Sequence, residues 1–189
     1  MLIDITLKIT QKTLIDALES KNKSLVGHAG THFDVMDKEF PLTYIERNGI
    51  VFDVRHVSGR DIDISDIGLN LVEKDMFVAF CTGFIEQVGY GERGYFTEHP
   101  QLTYDLINAL LDKGVSIIGL DFAGVRRTPE HIPTDQHCAD RDVFIIENLW
   151  NLPEVLRMGG RFTACTYPMN CSGMTGLPCR VIAKVTAPI

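Results

Sequence analysis

The chain has 189 residues, 45% hydrophobic and 23% charged, with 25 acidic against 18 basic side chains and a net charge of −7. That is enough for one domain with a sizeable core, in proportions ordinary for a globular protein. The acidic balance, without any Lys/Arg-rich block, argues against nucleic acid or an anionic membrane surface as a partner.

Leu2 to Ile9 alternates apolar and polar residues, the period of a strand. Asp4 interrupts this opening segment and no cationic stretch precedes it, which argues against a secretory signal. The polar stretch 10–23 reads as a short helix or loop. Gly27 to Val35 then reads as a strand, which puts His28, Gly30, His32 and Asp34 on one face. Ala29, Thr31, Phe33 and Val35 form the opposite face and suit a buried sheet surface. Two imidazoles and a carboxylate around the gap at Gly30 are a ligand set for Zn²⁺ or Mn²⁺. The competing reading, a sheet edge turned to solvent, leaves that shared parity to accident.

Further strands are expected at Ile50–Val57, Arg60–Ile64 and, as a continuous apolar run, Met76–Thr82. A loop punctuated by Gly83, Gly89, Gly91 and Gly94 follows. Leu102, Leu106, Ala109 and Leu110 recur at helical spacing, with Gly114 placed to cap the helix. Val115–Asp121 is a strand, Ile132–Arg141 reads as loop, and Val143–Glu147 is again a strand. A helix over Trp150–Met158 and strands at Arg161–Tyr167 and Pro178–Val185 complete a mixed-sheet α/β or α+β domain spanning 1–189. No apolar run is long enough to span a membrane. Cys81, Cys138, Cys165, Cys171 and Cys179 are odd in number and lack C-x-x-C spacing; they read as reduced thiols, and the cytoplasm is the expected compartment.

An ion held by His28, His32 and Asp34 alone keeps open positions, the catalytic rather than the structural pattern. Such an ion lowers the pKa of water from about 15.7 to about 7 and polarises carbonyls, which suits hydrolysis of an amide, formamide or lactam. Downstream complements are His137 and Glu147. Glu147 closes an apolar strand, where an acid is costly unless paired or metal-bound, although it could instead cap the following helix. His56, His99 and Cys81 read as hydrogen-bonded, capping and inert core residues respectively. Asp121 ends a strand, where functional acids often stand, and could equally fix the Arg126-Arg127 loop by a salt bridge.

His28-Ala29-Gly30-Thr31-His32-Phe33-Asp34 resembles the H-x-G-T-H-x-D signature of the cyclase family, which includes bacterial kynurenine formamidases (arylformamidases) and isatin hydrolases. Five further segments resemble that family in order: Ile3-Asp4-Ile5-Thr6, Cys81-Thr82-Gly83, Ile118-Gly119-Leu120-Asp121, Ile146-Glu147-Asn148-Leu149 and Gly176-Leu177-Pro178-Cys179-Arg180. The resemblance implies a swivelling β/β/α fold, a homodimer or homotetramer, and one or two divalent ions. It implies His28, His32 and Asp34 as ligands with Asp34 able to bridge, Glu147 as the later carboxylate and His137 as the later histidine. His137 is nearer to Glu147 than the family's spacing, and His131 is its rival.

Two departures bear on mechanism. The motif continues x-P-x-H in the family, the last histidine transferring protons, and here those positions hold Met36 and Lys38. Lysine titrates near about 10.4, so Lys38 would need its pKa lowered by burial or a nearby dication to act as the acid/base. It could instead hold a substrate carboxylate, or be a surface lysine in Asp37-Lys38-Glu39. The family's G-x-D-x-x-S ends here in Gly124, without the hydroxyl. The leading expectation is a metal-dependent hydrolase cleaving a C–N bond of a small amide, with Lys38 or a neighbouring acid assisting. The alternatives are a metal-containing protein that binds a small carboxylate, and a metal-dependent cyclase or dehydratase.

Overall fold

The computed structural model describes residues 1–21 and 26–186; the end of the polar stretch expected over 10–23 lies outside the described residues. The strands are β1 (Leu2–Asp4), β2 (His32–Asp34), β3 (Glu46–Asp53), β4 (Phe77–Cys81), β5 (Ile117–Leu120), β6 (Phe144–Glu147), β7 (Arg161–Pro168) and β8 (Gly176–Lys184). The helices are α1 (Gln11–Glu19), α2 (Phe84–Val88), α3 (Tyr104–Lys113), α4 (His131–Ala139) and α5 (Leu152–Arg157).

Seven strands close into a ring in the order β2, β6, β5, β4, β3, β7, β8, with β8 pairing back onto β2. The β3–β4, β4–β5 and β5–β6 pairs are parallel, and the other ring pairs are antiparallel. β1 adds to β8, in register Leu2 with Lys184. This is a mixed α/β fold with one closed sheet, the architecture the cyclase resemblance implied.

Alternation within the strands builds two cores. Phe33, Val51, Phe77, Ile117, Ile146 and Leu177 belong to a cluster drawn from the ring strands and fill its interior. A Cβ at Gly119 would stand 2.3 Å from the Phe77 ring, so glycine lets that ring occupy the barrel. Residues of the other parity, including Val78, Phe80, Ile118 and Ile145, pack outside the ring against Leu106 and Leu110 of α3. Thr103 caps α3, accepting from Leu106 N, and Gly114 ends it at φ +69°, as the pattern predicted.

Several expected elements differ. The segment read as loop over Ile132–Arg141 is mostly helix α4, and the glycine-rich loop contains α2. The short strand expected at Arg60–Ile64 reduces to a single bridge, Ile62 to Leu102, followed by a 3-10 turn at Ile64–Asp66. The strand expected over 27–35 is regular only at β2, because residues 27–30 turn and Gly30 lies at φ +72°. No helix among the described residues is long and apolar enough to cross a membrane.

Candidate metal centre

Register places the site. His32 pairs with Glu147, and Phe33 with Ile146. Since Phe33 and Ile146 point into the barrel, His32, Asp34 and Glu147 face outward, toward α4. On α4, His131 and Asp135 are four residues apart and share the inward face. His28 arrives from the turn before β2, and Gly176 of β8 makes room for it: a Cβ there would lie 2.6 Å from His28 Nε2.

The ligating atoms converge. Asp34 Oδ1 is 3.1 Å from His28 Nε2 and 3.5 Å from His32 Nε2, which is itself 3.5 Å from Glu147 Oε2. His131 Nε2 is 2.9 Å from Asp135 Oδ2 and 3.3 Å from Glu147 Oε1. His32, Asp34, Asp135 and Glu147 are buried, whereas the side chains of His28 and His131 are 27% and 30% exposed and form the opening. His32 Nε2, Asp34 Oδ2, Asp135 Oδ1 and Glu147 Oε1 have no hydrogen-bond partner among the described residues. Buried donors left this way are costly unless an ion collects them, and the set of imidazoles and carboxylates fits a divalent cation.

The surrounding shell holds these ligands in place. Gly30 O accepts from both His32 Nδ1 and Asn148 Nδ2, each at 2.9 Å. With Nδ1 donating, His32 can present a bare Nε2 to an ion. Asn148, at φ +57°, accepts from Tyr95 Oη at 2.7 Å, and Tyr90 Oη accepts from Gly30 N at 3.0 Å. Thr31 Oγ1 donates to Asn148 O and accepts from Leu7 N, tying the ligand turn to β6 and the N-terminal segment. Thr31→Val is therefore expected to cost about 1–3 kcal/mol by orphaning the buried Asn148 carbonyl and the half-buried Leu7 amide, read from urea denaturation; an unchanged midpoint would count against this role.

Electrostatics follow from the crowding. Burial alone would lower the His32 pKa, but the nearby negative charges of Asp34 and Glu147 raise it to about 9. His131 behaves likewise: burial opposes, while Asp135 and Glu147 raise it to about 11. Burial pushes Glu147 upward and Asp135 up to about 7, while the two histidines hold Asp34 well below the carboxylate range despite its burial. In the metal-free protein the His32 interaction therefore stabilises fully below about 6.5 and is lost as pH rises through about 9. Metal uptake must displace the protons of His32 and His131, so apparent affinity should rise with pH throughout the range from about 6 to about 9, by at most about tenfold per unit for each proton released. Titrations with a chelator-buffered ion from pH 6 to 9 measure this; a flat profile would contradict it.

Not every residue singled out from sequence is brought here. His137 lies on the exposed side of α4, 3.3 Å from Asn108 Oδ1, because two residues past Asp135 a helix has turned by about 200°. Lys38 is paired with Asp140 at 2.9 Å and Asp37 at 3.2 Å, and these carboxylates raise its pKa. Asp140 lies about 13 Å along the axis of α4 from His131. Asp121 accepts from Thr82 N, Thr82 Oγ1 and Gly83 N and so fixes the end of β4, whereas Arg126 pairs with Asp61 and Glu130. His99 is buried and stacked on Phe122, with burial lowering its pKa to about 4, and His56 sits exposed, 3.7 Å from Asp66. Burial raises the Cys81 thiol to about 12, consistent with an inert core residue. Asp135 was not anticipated, and His131 only as a rival; their four-residue spacing is the signal a helical reading would have found. Gly124 has its own purpose: a Cβ there would meet the His131 ring at 2.8 Å.

The model of the putative cyclase family matches residues 3–126, about two thirds of the chain. The chain belongs to the cyclase family. Among solved structures, this cyclase-family chain is similar to a potential metal-dependent hydrolase with cyclase activity at 24% identity, covering 100% of this chain and 99% of the other, with a TM-score of 0.73. A predicted metal-dependent hydrolase from Bacillus stearothermophilus gives 22% identity, 97% coverage of both chains and a TM-score of 0.73. Isatin hydrolase A from Labrenzia aggregata, bound to benzyl benzoate, gives 15% identity, 98% and 94% coverage and a TM-score of 0.73. At these identities the likeness carries the fold. No curated protein matches the sequence.

Proposed function

We propose that the protein is a metal-dependent hydrolase that cleaves the C–N bond of a small amide, formamide or cyclic amide. The observation that carries this reading is the convergence of four buried donor atoms, unpartnered among the described residues, within two sets of imidazoles and carboxylates that share Asp34. Family membership and fold relatives described as metal-dependent and isatin hydrolases support it.

When bound, a divalent ion, Zn²⁺ or Mn²⁺ in this reading, supplies Lewis-acid polarisation of a carbonyl and activation of water at neutral pH. His28, His32 and Asp34 would hold such an ion in one set and Asp34, His131, Asp135 and Glu147 in the other, and Gly30 O fixes the His32 ring. The exposed edges of His28 and His131 mark where a small substrate enters. Tyr90 Oη, already accepting from Gly30 N, keeps its own proton to donate to a polar atom of that substrate. Lys38 is held as an ammonium by two carboxylates, so the proposal gives it no proton transfer and leaves His137 outside the ligand set. The proposal also takes the protein to be a homodimer or homotetramer, as the cyclase resemblance implies, and cytoplasmic, in keeping with its free thiols.

Incubating the Zn²⁺- or Mn²⁺-loaded protein with N-formyl arylamines, lactams and cyclic imides tests the reading. Release of the carboxylate product from one class is expected. The outward pairing of Lys38 favours one rival, a protein that binds a small carboxylate without turnover. Tight binding with no hydrolysis across the panel would establish that rival instead.

A further inference from the structure

We propose that Asp135 is itself a ligand, and that the donor set it completes prefers a harder ion than the set formed by His28, His32 and Asp34. The inference rests on reading the cluster as a metal centre, and it is independent of which bond is cleaved.

Two donor sets share one residue. His28, His32 and Asp34 form the first, and Asp34, His131, Asp135 and Glu147 the second; within each, the ligating atoms lie within 4.8 Å of one another. Asp34 would serve both, since its Oδ1 faces the two histidines of the first set while its buried Oδ2 has no hydrogen-bond partner among the described residues.

Asp135 decides the character of the second position. A carboxylate that merely orients a ligating histidine sits behind the ring, on the nitrogen turned away from the ion. Here Nδ1 of His131 is the atom turned toward Gly124, while Nε2 meets Asp135 Oδ2 and Glu147 Oε1 together. Asp135 therefore stands on the same side of the ring as Glu147, and its Oδ1 is buried without a partner among the described residues. It is placed as a ligand, not as a support.

The donor counts then differ. The first position offers two imidazole nitrogens and one carboxylate, the second one imidazole nitrogen and three carboxylates. Nitrogen-rich sets suit Zn²⁺, whereas carboxylate-rich sets suit Mn²⁺ or Mg²⁺. Charge points to double occupancy: one dication leaves the three buried carboxylates of the cluster undercompensated, and two leave a single positive charge facing the opening. Zn²⁺ outcompetes Mn²⁺ at most sites of either kind, so the difference lies in how strongly each position prefers it.

Metal-stripped full-length protein, given one equivalent of Zn²⁺ and then titrated with Mn²⁺, tests this without any substrate. Zn²⁺ is counted by elemental analysis and bound Mn²⁺ by electron paramagnetic resonance. One retained Zn²⁺ and one added Mn²⁺ per chain are expected, with the Zn-over-Mn preference at least about tenfold weaker at the second position. Asp135→Asn should lower Mn²⁺ affinity by about tenfold or more while the Zn²⁺ stays, and Asp135→His should make the second position take Zn²⁺ preferentially. Circular dichroism establishes that each variant is folded. Equal preference at both positions, a single ion per chain, or an Asp135→Asn protein that takes up Mn²⁺ like the parent would overturn the inference. Binding of neither ion would overturn the metal centre as well, and separates that failure from the first.

Discussion

Replacing His32 by Ala is expected to strip the centre of its ions and lower turnover by more than about a hundredfold, the upper range of losses caused by disturbing mere supports of a ligand. The side chain stands between both halves of the cluster, 3.5 Å from Asp34 and 3.5 Å from Glu147. Its removal takes away a nitrogen donor and also the positive charge that separates two buried carboxylates in the metal-free protein. Those carboxylates then face each other across a cavity, so metal-free His32→Ala should also be less stable than the metal-free parent. Elemental analysis after dialysis against buffered Zn²⁺, with turnover on whichever panel substrate responds, reads the result. Parental metal content in a folded His32→Ala protein would sink the ligand assignment.

Gly176→Ala should produce a more selective lesion. The added methyl would lie 2.6 Å from His28 Nε2 and 2.8 Å from Gly27 O, distances that packed atoms do not tolerate. Of those two neighbours, Gly27 O is backbone and the partly exposed His28 ring is a side chain, so the ring should give way and leave Asp34 while the barrel stays closed. The first position should lose about 10–100-fold in affinity, whereas overpacking should cost about 1–3 kcal/mol of stability. Zn²⁺ titration and a thermal melt on the same preparation separate the two effects. Unchanged Zn²⁺ affinity would mean that His28 takes no part in holding the ion.

The barrel strands were legible because their residues obey strand arithmetic. Phe77–Cys81 is apolar throughout, as a strand covered on both faces must be, and the alternation over β7 and β8 follows the same logic. Part of the site could be read for a different reason than the structure supplies. His28, His32 and Asp34 do converge, but only the last two by strand parity; Gly30 breaks the strand and a turn delivers His28. Helix α4 was hidden because its inner face is the site. Where an ordinary surface helix buries leucines, this one buries Thr134, Asp135, Cys138 and Ala139 and points His131 inward, so no apolar stripe marks it. Pro133 and the weak helix formers around it add to the disguise. Once that segment is taken for loop, nothing in the spacing ranks His131 above His137. The pairing of Lys38 with Asp140 was illegible for the same reason, since it depends on where α4 ends.

The seam of the barrel sets a limit on when the protein can begin to work. β2 meets β8 through His32 and Pro178, residues far apart along the chain, and β1 meets β8 through Leu2 and Lys184. A topology dominated by such distant pairings folds slowly, because chain entropy is spent well before the contacts form. On a ribosome the turn around His28 emerges well before its back wall at Gly176. The candidate centre can thus close only after β8 has been made, and until then its histidines and carboxylates remain open to any ion in the surroundings.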